Sequence, residues 1–252
     1  MLRDVLDLVL PADCPCTGPG PLCAACREVL TAAPRAARPT PTPMGFPECL
    51  TFGDYGGRLR GILLAYKERG RRDLTTHLAD RLAVGAAVLT DSEPVFLIPV
   101  PATAVAARAR LGDHMARLAR RAALVLRRSG RLAVSVNGLR ALPRPDSVGL
   151  TAAQRLTVAQ GAFRARTRVL RRWPGAGQPG RGTVVLIDDV LTTGATLTAA
   201  TAELRRAGVP VHGAVVLAAT GLGTARSRRK ALSSPHLRDN SEVLTGIHLN
   251  RG

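Results

Sequence analysis

Residues 184–197 read VVLIDDVLTTGATL: a run of branched apolar residues, two carboxylates, and then a threonine- and glycine-rich turn. Four apolar residues are too few for a helix and suit a buried strand. Residues 195–206 (ATLTAATAELRR) have helical composition, so the turn joins the end of a strand to a helix N-terminus. That junction is where α/β sheets bind anions. The chain is therefore expected to fold as an α/β protein around a parallel sheet, with its ligand at the sheet's carboxyl edge.

Each residue type in the turn suits a sugar phosphate. Gly194 can take a positive φ and lets a phosphate approach the backbone, while the amides from Thr192 and Thr193 through Ala195 to Thr196 point into one concavity. The threonine hydroxyls add neutral donors. Asp188 and Asp189 can accept hydrogen bonds from vicinal hydroxyls. Phosphate at one end and diol at the other describe a ribose 5-phosphate. An apolar strand ending in Asp-Asp also occurs in P-loop NTPases, but the Gly-x-x-x-x-Gly-Lys-Ser/Thr loop this requires is absent from the chain. Helix capping accounts for one Asp or one Thr, not for the whole string.

The chain has 252 residues, enough for one ordinary domain and a small one. Hydrophobic residues make up 46% and aromatics only 3%, so aliphatic side chains and alanine must do the packing. No apolar run reaches the roughly 20 residues a bilayer span needs. The N-terminal stretch carries Asp4 and Asp7 and reads as a short amphipathic helix rather than an export signal, which points to the cytoplasm and away from membranes. The net charge of +18 is almost all arginine, with Lys67 and Lys230 the two lysines. Part of it reflects base composition; the remainder favours polyanionic partners, a nucleic acid or a pyrophosphorylated sugar.

Four of the five cysteines, Cys14, Cys16, Cys23 and Cys26, fall in two close pairs around a Gly/Pro loop. The set suits a four-thiolate Zn2+ site that ties down a segment with little core of its own, although the first pair is Cys-x-Cys rather than Cys-x-x-Cys. Free thiols are the other reading; disulfides need an oxidising compartment. Cys49 is expected as a buried thiol. Residues 1–33 thus form a cysteine-rich segment and residues 34–50 a proline-rich linker. A main domain follows at 51–220, and a basic tail at 221–252 has no sustained apolar face.

Within the main domain, Leu59, Ile62, Leu63 and Tyr66 share one helical face, with Lys67 near its end. Residues 94–101 (PVFLIPVP) form a second strand, followed by Arg108 and Arg110 and a helix over 113–128. If both strands lie in one parallel sheet, both loops open on its carboxyl edge. Lys67, Arg108 and Arg110 are then candidate partners for a pyrophosphate, or simply solvated cations. Trp173 lies in a Gly/Pro-rich insertion and is read as the cap of a hydrophobic edge or as a stacking platform.

The string from Asp188 to Thr196 resembles the 5-phosphoribosyl-1-pyrophosphate (PRPP) signature of type I phosphoribosyltransferases. The cysteine knuckle, Tyr-Gly-Gly…Lys helix, Ile-Pro-Val-Pro strand and PRPP loop come in the order seen in the ComF family, a set of competence-associated phosphoribosyltransferase-like proteins. This resemblance covers roughly residues 8–220, and includes residues 149–163 around Gln154 and Arg155. It departs at Leu111, Gly112, Asp113 and His114, where the family has Arg-Gly and then Asn-Gln. It implies Mg2+-dependent transfer of a phosphoribosyl group from PRPP to a nitrogen acceptor, with Asp188 and Asp189 as the catalytic acids and the turn gripping the 5-phosphate. It also leaves an alternative: a non-catalytic PRPP-binding protein, or a component of DNA uptake meeting single-stranded DNA or an uptake helicase.

Overall fold

The computed structural model describes residues 13–18, 20–91, 94–103, 108, 112–143, 159, 161–174, 176 and 181–221. The expected N-terminal helix, Arg110, Gln154, Arg155 and the tail beyond 221 lie outside the described residues.

In chain order the elements are α1 (Ala24–Val29), β1 (Arg35–Ala36), β2 (Glu48–Thr51), α2 (Gly57–Glu68), α3 (Thr75–Leu89) and β3 (Val95–Pro99). There follow α4 (His114–Arg128), β4 (Ala133–Ser135), β5 (Leu139–Ala141), β6 (Phe163–Ala165) and α5 (Thr167–Leu170). The chain then forms β7 (Thr183–Leu191), α6 (Ala195–Arg206) and β8 (Gly213–Ala219). Six strands make one sheet in the order β1-β2-β8-β7-β3-β4, parallel throughout except for the β1–β2 pair. β5 and β6 form a separate antiparallel hairpin.

β3 and β8 are buried along their whole length, which is why their sequences are continuous apolar runs rather than alternating ones. Strand alternation divides the core in two. Val185, Ile187, Val215 and Leu217 pack with α2, α3 and α4 on one face. Val184, Leu186, Ala214 and Val216 pack with α6 and the β5–β6 hairpin on the other. At Gly85 a Cβ would stand 2.5 Å from Val215 Cγ1, so only glycine lets α3 lie this close to β8.

The crossover β3–α4–β4 leads outward over the first face, and β7–α6–β8 leads outward in the opposite direction over the second. β3 and β7 are direct neighbours, with Val95 opposite Thr183 and Pro99 opposite Ile187. The switch point of this doubly wound sheet therefore lies between them, and its crevice is the expected ligand position.

Three details differ from the sequence reading. β7 does not stop at the acids but continues through them to Leu191, because Val190 and Leu191 pair with Ala218 and Ala219 of β8. Residues 34–50 contain β1 and most of β2, so the proline-rich segment joins the edge of the sheet. The cysteine segment docks on α2: Cys14, Leu22, Cys26 and Leu30 share a core with Leu59 and Ile62. The Arg71 guanidinium fastens it by donating to the carbonyls of Asp13 at 2.9 Å and Pro21 at 2.6 Å. Trp173 meets Phe96 of β3 edge-on, with ring centroids 5.5 Å apart, and so closes an apolar edge.

Candidate functional site

Because β7 runs through both acids, Asp188 and Asp189 point to opposite faces of the sheet. Asp189 turns toward α2 and α4. Its Oδ2 accepts from Lys67 Nζ at 2.6 Å and lies 3.2 Å from His114 Nε2. Asp188 turns toward the other face, where its charge, after burial itself, helps push the Cys49 thiol up to about 12. Asp188 Oδ1 also accepts the Asp189 amide at 2.9 Å, which braces the pair.

Burial pushes the Asp189 carboxyl up, but the His114 hydrogen bond and the positive charge of Lys67 outweigh it and hold the group well below the usual carboxylate range. Asp189 is therefore an anion at any physiological pH. His114 is itself buried, and its Nδ1 has no hydrogen-bond partner among the described residues. The Tyr66 hydroxyl donates to the His114 carbonyl at 3.3 Å, and the two rings meet edge-on. Asp113 caps α4 by accepting from the amides of Met115 and Ala116, which sets the first turn that carries His114.

Lys67, expected as a phosphate ligand, is thus engaged with Asp189. Arg108 is exposed, and Arg110 lies outside the described residues. Sequence reading passed over His114 as a departure from a motif. Its one visible signal was position, directly after an Asp with good capping character at the start of a helix.

The turn after β7 is built as its composition suggests. Gly194 has φ 76° and is the N-cap of α6, with no side-chain capping hydrogen bond at the helix end. Thr192 is exposed, Thr193 and Thr196 are half-buried, and Gly194 and Ala195 are buried. Among the described residues no amide from Thr192 to Thr196 donates to another backbone group outside helix or strand. The first such bond of the helix runs from the Thr198 amide to the Gly194 carbonyl at 2.9 Å. The start of the turn is pinned by the Thr220 amide, which donates to the Leu191 carbonyl at 2.8 Å. The proline-rich segment forms one wall: Pro39 and Phe46 stand where a Gly194 Cβ would lie, 2.8 and 3.0 Å away.

At the N-terminus, Cys14, Cys16, Cys23 and Cys26 present four Sγ atoms, all within 4.8 Å of one another. Cys16 Sγ lies 3.6 Å from that of Cys14 and 3.5 Å from that of Cys23. Tetrahedral zinc with Zn–S bonds of about 2.3 Å separates its sulfurs by roughly 3.8 Å, so the set could hold that ion. A backbone hydrogen bond from Gly18, helped by the neighbouring thiols, brings the Cys16 thiol down to about 6.

A doubly wound sheet with a glycine turn and paired acids beside its switch point is an α/β architecture whose ligands lie in the crevice at the carboxyl ends of the strands. Residues 90–250 match the phosphoribosyl transferase domain, and the chain belongs to that family. The match includes β3, α4, β7 and the turn, that is, both sides of the crevice. No curated protein matches the chain. No helix among the described residues is long and apolar enough to cross a membrane.

Proposed function

We propose that the chain binds PRPP at the crevice between β3 and β7 and transfers its phosphoribosyl group to a nitrogen acceptor, as the resemblance to the ComF family suggests. The observation that carries this reading is the junction itself: a strand that bears both acids and leads into a left-handed glycine and a helix N-terminus whose amides, among the described residues, donate to no backbone group outside helix or strand.

The amides and hydroxyls from Thr192 to Thr196 would grip the 5-phosphate, remote from the reacting carbon, and hold C1 in register for displacement of pyrophosphate. Asp188 and Asp189 would receive the ribose hydroxyls. Asp189 suits this task because Lys67 and His114 occupy Oδ2 and fix the plane of the carboxylate, leaving Oδ1 for the ligand. The only group of three or more metal-ligating side chains among the described residues is the cysteine cluster, so the crevice offers no dedicated protein cage. That suits a hard cation arriving on substrate phosphates. Mg2+, when bound there, would neutralise the departing pyrophosphate.

Calorimetric titration of PRPP with and without Mg2+ tests the reading. The wild type is expected to bind, and Asp188→Ala/Asp189→Ala to bind at least about a hundredfold more weakly, each lost charge-assisted contact being worth roughly tenfold. Absence of binding to the wild type overturns the proposal. Binding without pyrophosphate release across a panel of nitrogen acceptors identifies a PRPP-binding protein that is not an enzyme. Salt-dependent binding of single-stranded DNA that survives Asp188→Ala points instead to nucleic-acid handling.

We further propose that the cysteine cluster holds one structural Zn2+. Cys16→Ser is expected to lose the metal, measured by elemental analysis, and to lower the melting temperature, because the knuckle shares its core with α2. A metal-free wild type with the same melting temperature as the zinc-loaded protein would count against it.

A further inference from the structure

The cysteine segment and the crevice meet the same piece of backbone, the last turn of α2. Gly70 reverses the chain there at φ 68°, and the Arg71 amide donates back to the Ala65 carbonyl at 3.2 Å, which closes the helix end. Three side chains leave this turn for three different partners. The Tyr66 hydroxyl donates to the His114 carbonyl of α4 at 3.3 Å. Lys67 Nζ donates to Asp189 Oδ2 of β7 at 2.6 Å. Arg71 goes to the cysteine segment.

The Arg71 contact is more than a solvated cation makes. Its Nη1 donates to the Asp13 carbonyl at 2.9 Å and its Nη2 to the Pro21 carbonyl at 2.6 Å, so one guanidinium spans the loop that carries Cys14 and Cys16. Nε and Nη2 also donate to the two carboxylate oxygens of Asp73, at 2.9 and 2.8 Å, and that pairing fixes the plane of the fork. The side chain is 11% exposed, which shields these bonds from competing water. Alongside, Gly61 lets α2 approach so closely that a Cβ there would stand 3.4 Å from the Pro15 carbonyl oxygen.

The matched domain begins at residue 90, so Lys67 comes to Asp189 from outside it, on a helix whose end is tied to the cysteine segment. A lysine stem is flexible, and it holds a short, directed contact only where its own backbone is fixed. Hydrogen bonds weaken beyond about 3.2 Å, so a small movement of the turn is enough to lengthen the Lys67 contact and leave Asp189 less well held.

We propose that Arg71 is a positioning residue for the crevice: by pinning the last turn of α2 to the cysteine segment it sets Lys67 against Asp189, and so tunes ligand affinity without touching the ligand. The effect on affinity rests on the reading of the crevice as a PRPP site; the effect on Asp189 does not.

Two measurements on the full-length protein test it. The first needs no ligand: the Asp189 carboxyl is followed by carbon NMR as the pH is lowered. Lys67 from α2 and His114 from α4 face that carboxyl, with Asp188 beside it on β7, and the two donors hold it below the usual range against the opposing effect of burial. In Arg71→Gln the titration should move up, so that at about pH 4 Asp189 is ionised in the wild type and partly protonated in the variant. The second is PRPP titration in the presence of Mg2+. Arg71→Gln should weaken binding about tenfold, and by less than about twofold when Lys67→Met is already present. Arg71→Lys keeps the charge without the fork and should recover little.

An unchanged Asp189 titration in Arg71→Gln would overturn the proposal. So would wild-type PRPP affinity in a variant that merely melts lower, which would leave Arg71 an anchor of the cysteine segment alone. Full recovery in Arg71→Lys would trace the loss to charge, and an equal loss with and without Lys67 would mean that Arg71 does not act through it; either outcome sinks it. A wild type that binds no PRPP overturns the crevice reading instead, and the Asp189 titration then decides the role of Arg71 by itself.

Discussion

Asp189→Ala should destabilise the protein by about 3 kcal/mol and abolish PRPP binding, because it takes an acceptor from two donors rather than removing one side chain. Lys67 Nζ loses its 2.6 Å acceptor and His114 Nε2 its 3.2 Å one, in a site where the Lys67 side chain is 31% exposed and His114 only 8%. A control separates the two losses. Adding Lys67→Met to Asp189→Ala should recover part of the stability, since an ammonium that has lost its carboxylate gives way to an apolar side chain of similar length, but none of the binding. Thermal melts and PRPP titration of the two single variants and the double variant make the comparison. If the double variant is no more stable than Asp189→Ala, the ion pair is not what holds α2 to β7.

The sign of the pH dependence follows from the same contacts. The Asp189 carboxyl is held below its ordinary value, so its contribution to stability is fully present above the unfolded carboxylate pKa near 4. It is lost only as the pH falls through the lower folded value. The difference in stability between wild type and Asp189→Ala should therefore be flat from neutral pH to about 5 and shrink on further acidification.

Gly194→Ala is the second large effect, and here binding should fall far more than stability. The residue sits at φ 76°, where an L side chain costs on the order of 1–2 kcal/mol. Its new Cβ would also press on Pro39 Cγ at 2.8 Å and Phe46 at 3.0 Å. Relief requires the turn to move, and a turn that moves no longer aims its amides at a phosphate. A melting temperature a few degrees lower with PRPP binding reduced at least about a hundredfold is the expected outcome. Adding Phe46→Ala should relieve the contact but not the backbone strain, so binding should stay weak. Full recovery in that double variant would show that the wall, not the left-handed turn, was the constraint.

The elements of the crevice were largely legible in the sequence. The branched apolar runs at 95–99 and 184–187 are strands because both faces of a parallel sheet are covered. The face made by Leu59, Ile62, Leu63 and Tyr66 is buried along α2 as its spacing predicted. Strand length was misread at β7, since a carboxylate pair normally marks a strand end. Here hydrogen bonding to β8 carries the strand two residues further. That extension decides that the two acids face opposite ways, which no local rule supplies.

What chain order alone settled are the features whose causes lie within a few residues: the strand, the left-handed glycine and the helix that follows it. Each depends on steric limits or hydrogen bonds between near neighbours. Three-dimensional folding decided who meets whom. Lys67 reaches Asp189 across 122 positions and His114 across 75, and Pro39 and Phe46 come to rest on Gly194 from the far side of the sheet order. Those meetings follow from which strands become neighbours and which face each crossover takes, and that choice is made by burying the whole core at once.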